Sequence, residues 1–158
     1  MDTYTTILLV IHIVGAIAGI GPTFAFSVLG KIATQGGDRT LFAMEAMKEI
    51  NLKIVTPVAA ITQPVTGALL IFKTGRDANF FKHEWLVMGI VFYLILMVLS
   101  YGPEWKRQNR MIDALKAGRG GSDEFLKDMR AAKAMGPVFG VLTLAIAVLM
   151  VWKPLDGA

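Results

Sequence analysis

Four apolar stretches divide the chain, at Ile7–Gly30, Ile54–Phe72, Trp85–Tyr101 and Ala134–Trp152, each 17 to 24 residues long. A helix needs about 20 residues to cross roughly 30 Å of hydrocarbon, so each stretch predicts a membrane span. The pattern predicts an all-α protein, a bundle of four transmembrane helices forming one integral membrane domain over residues 1–158. The longest polar stretch, about thirty residues between the third and fourth spans, has room for helix extensions and a turn, not for a separate soluble domain. Asp38–Asn51 places Leu41, Met44 and Met47 near one face and predicts an interfacial helix leading into span two. Ser122-Asp123-Glu124 predicts a capped helix start leading into span four, after a flexible turn at Gly118–Gly121.

Within the spans, small or mildly polar residues recur at helical spacing. They are His12, Gly15, Ala16, Gly19 and Thr23 on span one, and Thr56, Ala59, Gln63, Thr66 and Gly67 on span two. Span three contributes Gly89, Tyr93 and Ser100, and span four Gly136, Gly140, Thr143 and Ala147. Helices associate in lipid through close backbone approach and interhelical hydrogen bonds, so these faces are expected to form the bundle interior. The pairs Gly15–Gly19 and Gly136–Gly140 also fit a dimer contact. Pro22, Pro57, Pro64 and Pro137 fall inside the spans, and each is expected to bend its helix to fit the bundle.

Charge orients the bundle. Lys and Arg number four in the first loop (Lys31, Arg39, Lys48, Lys53), three in the second (Lys73, Arg76, Lys82), eight in the third, and one, Lys153, at the C-terminus. With loops one and three inside, twelve positive charges face the cytoplasm and four the exterior, so both termini are expected outside. The N-terminus has no positive segment and no small-residue cleavage site, so the first span is expected to remain as a helix. This organisation, with 54% hydrophobic residues and a mean hydropathy of +0.56, predicts a multi-pass protein of a bacterial inner (plasma) membrane. It also explains the net charge of +4 without a nucleic-acid partner. Cysteine is absent, which removes disulfides, thiolate metal sites and cysteine nucleophiles.

No phosphate loop, zinc-protease motif, nucleophile elbow or run of intramembrane carboxylates is present, which disfavours an ion pump or proton-coupled transporter. His12 is the only ionisable side chain within a span apart from tyrosine. It sits roughly 8 Å below the outer boundary by helix rise. Either it holds a ligand, or it hydrogen-bonds a Thr, Gln or Tyr of a neighbouring helix. His83, before Trp85 at the same side of the membrane, is the other histidine. Two imidazoles on different helices near one leaflet can ligate haem iron or another metal, and Lys73, Arg76 and Lys82 can neutralise propionates. Met88, one turn below His83, is an alternative axial ligand.

The run Leu8-Leu9-Val10-Ile11-His12-Ile13-Val14-Gly15, followed by Gly19-Ile20-Gly21, resembles the first helix of a group of small bacterial membrane proteins. The group includes the copper-resistance protein CopD, HemJ-type protoporphyrinogen oxidase and an uncharacterised family of four-helix integral membrane proteins. Trp85-Leu86 opening span three, and Tyr101-Gly102-Pro103 closing it, are similar to the uncharacterised family. The resemblance implies a haem-associated role for His12. In the oxidase branch a lysine stands four residues after the Trp of the Trp-Leu pair, and here that position is Gly89. The resemblance therefore carries the fold and a haem or metal role, but not the oxidase activity. Three functions compete: a redox or haem-handling protein holding haem b near the outer leaflet through His12 and His83, a non-catalytic accessory subunit of a larger membrane complex or homo-oligomer, and a copper or small-solute permease.

Overall fold

The computed structural model describes residues 2–76 and 78–152, with the side chains of residues 20, 23 and 24 outside the description. The expectations placed on the Thr23 side chain and on Lys153 therefore lie outside the described residues. Four long helices account for most of the chain: α1 (Thr3–Ile32), α2 (Gly37–Lys73), α3 (Glu84–Lys116) and α4 (Asp123–Trp152). A short 3-10 turn, Phe80–Lys82, precedes α3. No strand occurs among the described residues. α2, α3 and α4 are long and apolar enough to cross a membrane, and α1 contributes a shorter apolar run, Thr3–Gly19.

The helix ends follow local chemistry. The Asp2 carboxylate accepts from Thr5 N–H at 2.7 Å and caps α1, satisfying a donor with no partner inside the helix. Ser122 Oγ accepts from Phe125 N–H at 3.3 Å and starts α4 where its capping pattern predicts. The α1–α2 turn uses Gly36 and Gly37 at φ of 86° and 58°, a region where a side chain is strained.

Three prolines reshape their helices instead of breaking them. Wide, π-type turns span Asn51–Val55, Val58–Thr62 and Ser100–Glu104. The first two hold the residues four before Pro57 and Pro64, and the third contains Pro103. A proline ring clashes with the carbonyl four residues earlier and offers no N–H; widening the turn moves that carbonyl aside. Thr56 N–H accordingly reaches back to Asn51 O, and Gln63 N–H to Val58 O. Pro22 and Pro137 lie within α-helical backbone without a widened turn.

The helices pack as two antiparallel pairs, α1 with α2 and α3 with α4, and within the apolar region the pairs approach one another sparsely. The α1–α2 register is fixed by Lys73 Nζ over the Tyr4 ring at 5.0 Å, by Gly15 opposite Gln63 and by Gly19 opposite Val58. Between α3 and α4, Met150 fills the notch at Gly89. Leu149 packs with Trp85 and Leu86 in a buried cluster, so Trp85 at the start of α3 is 95% covered by protein. The interior face expected on span four is corrected. Gly136, Gly140 and Ala147 are exposed, and a Cβ at either glycine would meet nothing within 4 Å. The physical reason is that the small residue at this interface comes from α3 and the large one from α4.

The densest core lies beyond the apolar spans, at the end formed by loops one and three. Ala33, Ala43, Met44, Met111, Ile112 and Phe125 are buried together there. Around them Arg110 chelates Asp128 at 3.0 and 2.8 Å, Arg107 pairs with Glu104, and Lys116 meets Glu45 at 2.8 Å. Outward-facing apolar residues line the spans, among them Val14, Ile17, Ile61, Val98 and Val141. That is the expected surface of helices solvated by lipid rather than water.

Candidate functional site

His12 faces α2, where two side chains meet it. Its Nδ1 lies 2.7 Å from Thr66 Oγ1, and Gln63 Nε2–H donates to the His12 carbonyl at 2.9 Å. Gln63 and Thr66 are three residues apart on α2 and therefore share a face, the face predicted from their spacing. The closeness needs glycine: a Cβ on Gly15 would come within 2.6 Å of Gln63 Nε2, and one on Gly67 within 3.4 Å of His12 Cε1.

The hydrogen bonds determine which imidazole nitrogen carries a proton. Thr66 has a single hydroxyl proton, and Thr66 Oγ1 lies 2.6 Å from Thr62 O, an acceptor only. That proton must point to Thr62 O, the back-bond a threonine often makes within a helix. Thr66 Oγ1 therefore accepts, and His12 Nδ1 donates. In the neutral ring Nε2 then keeps its lone pair. No hydrogen bond reaches Nε2 among the described residues. The ring is thus fixed through Nδ1–H, and Nε2 keeps its lone pair without a hydrogen bond among the described residues.

The other predicted site residues occupy one end of the molecule without converging on a single point. His83 is half-buried at the start of α3, where its carbonyl accepts from Leu86 N–H at 2.9 Å and Val87 N–H at 3.1 Å. The Arg76 guanidinium lies 5.9 Å from the Trp85 ring centroid, and Lys73 covers Tyr4. Lys82 is exposed in the 3-10 turn, and Met88 is 43% exposed on α3. An apolar groove of about 260 Å³, lined by Ala68, Ile71, Phe72 and Phe80, runs along α2 between the levels of Thr66 and Lys73. No group of three or more His, Cys, Asp or Glu side chains gathers at one point among the described residues.

Of the two readings of His12, the hydrogen bond to a Thr, Gln or Tyr of a neighbouring helix is the one observed, with Thr66 on α2 as the side-chain partner; Gln63 and Thr66 were legible as members of a small face, but not as the particular residues that meet it. Tyr93 is a further member of the polar set: its hydroxyl donates to Ala59 O, one turn before Gln63 on α2. The signal for it is Pro64, five residues after Ala59.

A family model described as a predicted integral membrane protein (DUF2269) matches residues 6–154. No curated protein and no solved structure matches the chain.

Proposed function

The chain belongs to this family of predicted integral membrane proteins, and from that premise we propose that it is a four-span protein holding b-type haem through His12. The observation that carries the reading is the bare Nε2 of His12, created by the bond from Nδ1–H to Thr66. The donor chemistry fits the group. A neutral imidazole with a fixed ring is an axial ligand of haem iron, and Lys73, Arg76 and Lys82 supply counter-charge for propionates at the same end. His83 is the candidate second ligand, and haem would supply one-electron redox chemistry when bound. The chain's own residues orient the imidazole and hold the proton on its Nδ1, where Thr66 Oγ1 accepts it. Both termini lie outside a bacterial plasma membrane in this reading, on the strength of the twelve-to-four distribution of Lys and Arg.

Absorption of the detergent-purified protein, expressed with haem supplementation, tests the proposal. A Soret band is expected in the parent and is expected to vanish in His12→Ala. A parent without haem, or an unchanged spectrum in His12→Ala, overturns it.

A second reading, a non-catalytic subunit of a larger membrane complex or homo-oligomer, is favoured by the exposed Gly136 and Gly140 with open space before them. A single monomeric species on native electrophoresis of mildly solubilised membranes would count against it.

A further inference from the structure

Within the apolar region the described side-chain hydrogen bond from the α3–α4 pair to the α1–α2 pair is Tyr93 Oη–H to Ala59 O. Its acceptor exists because of Pro64. In an α-helix Ala59 O would take the N–H of Gln63, but that N–H is bonded to Val58 O in the wide turn. In the wider register the donor would be residue 64, and proline has none. Ala59 O is thus left without a backbone partner inside a lipid-solvated helix, where an unsatisfied carbonyl is costly. Tyr93 reaches across and satisfies it.

Elsewhere the two pairs are joined mainly outside the membrane. There Met44 and Met111 share a core, Gln108 Nε2–H donates to Met44 O at 3.4 Å, and Lys48 Nζ covers Trp105 at 5.7 Å. Among the described residues the molecule is therefore clamped at one end and fastened between the pairs within the apolar region by the Tyr93 hydrogen bond. One turn before Ala59, Thr56 Oγ1 is buried without a hydrogen-bond partner.

We propose that Tyr93 and Pro64 form a latch: the α1–α2 and α3–α4 pairs are two rigid units that separate within the membrane about the extramembrane core when the Tyr93–Ala59 bond opens. The latch does not depend on any group bound at His12. In Pro64→Ala the returning N–H gives Ala59 O a backbone partner whichever register the segment adopts, so the Tyr93 hydroxyl is no longer what satisfies that carbonyl and its bond weakens. Tyr93→Phe removes the donor. The two substitutions therefore act on the same bond, and the double variant is expected to behave like Tyr93→Phe alone.

The test uses the absence of native cysteine. Cysteines at the exposed Val14 on α1 and Val141 on α4 carry spin labels in the full chain, reconstituted in phosphatidylcholine–phosphatidylglycerol vesicles. Pulsed electron paramagnetic resonance then reads the distance between the pairs. Tyr93→Phe is expected to raise a longer-distance population several-fold, Pro64→Ala to raise the same one, and the double variant to add nothing. A control pair within one unit, Val98 on α3 and Val141 on α4, is expected to keep its distance throughout. A Tyr93→Phe protein with unchanged helicity and an unchanged Val14–Val141 distribution overturns the latch, whatever becomes of Pro64→Ala. So does a double variant whose effects add.

Discussion

Replacing glycine by alanine adds one methyl group, and at two positions of this protein it should act with opposite sign. At Gly15 the new Cβ would stand 2.6 Å from Gln63 Nε2 and 3.3 Å from Thr62 Cγ2. At Gly140 it would meet nothing within 4 Å. Helix propensity alone favours alanine by about 1 kcal/mol at either site. At Gly15 that gain is opposed by displacement of Gln63 from His12 O, an interhelical bond of about 0.6 kcal/mol on average, and by overpacking of about 1–3 kcal/mol. The expected outcome is a net loss of roughly 0.5–2.5 kcal/mol for Gly15→Ala and a neutral change or a gain of up to about 1 kcal/mol for Gly140→Ala. Reversible unfolding of the purified protein in mixed micelles, followed by circular dichroism across a series of SDS fractions, measures both on one scale. If Gly15→Ala unfolds at or above the SDS fraction of the parent, or coincides with Gly140→Ala, the assigned α1–α2 contact is wrong.

One further outcome follows from the charged end and one from the distribution of Lys and Arg among the loops. Hydrogen bonding from Arg110 holds the Asp128 carboxyl below its ordinary value of 3.8, with the Arg110, Arg107 and Lys127 charges adding to the effect against the opposing influence of burial. A depressed carboxyl stabilises the fold above its ordinary value and loses that contribution as pH falls through the lowered one. Stability should therefore drop on acidification below about 4, and Asp128→Asn should be less stable at neutral pH with a shallower acid decline; parallel pH profiles for the two proteins would refute the pairing. For orientation, cysteines at the exposed Asn79 and Gly121 should label differently on intact cells with a membrane-impermeant maleimide, strongly at Asn79 and weakly at Gly121. The reverse pattern would invert the topology.

Hydropathy alone located the apolar helices, three of them long and apolar enough to cross a membrane and the first with a shorter apolar run, and capping chemistry located the start of α4, because both are properties of short windows. Periodicity also put His12, Gln63 and Thr66 on small faces. A hydrogen bond from His12 to a Thr, Gln or Tyr of a neighbouring helix was one of the two readings of that residue, and the contact with Thr66 bears it out; which residue would meet it was not legible, since the sliding register between two helices depends on how Gly15 and Gly19 seat against Gln63 and Val58, which hydropathy does not record. Span four illustrates the same limit. Gly136 and Gly140 have the spacing of a packing face, yet the notch that matters is Gly89 on α3, filled by Met150. The extramembrane core was legible in part. Gln108, Met111, Ile112 and Leu115 repeat at helical spacing within a charged segment, a pattern that predicts a buried stripe. A count of Lys and Arg made for topology passes over it.

The identity of His12 as a ligand or a packing residue turns on one carbonyl. Were Thr62 O absent from the neighbourhood, Thr66 would be free to donate, His12 Nδ1 would accept, and Nε2 would carry the proton. A protonated Nε2 facing hydrocarbon has nothing to give a metal and needs an acceptor of its own. Because the Thr66 proton is committed to Thr62 O at 2.6 Å, the ring is held in the opposite tautomer and the acceptor nitrogen is the one left over. An interhelical hydrogen bond of this kind contributes about 0.6 kcal/mol on average in a membrane bundle, less than the cost of leaving a polar atom unsatisfied in lipid. The α1–α2 contact by itself therefore gives a weak reason for a histidine at this depth. In the haem reading proposed above, the group that takes up the Nε2 lone pair supplies the stronger one.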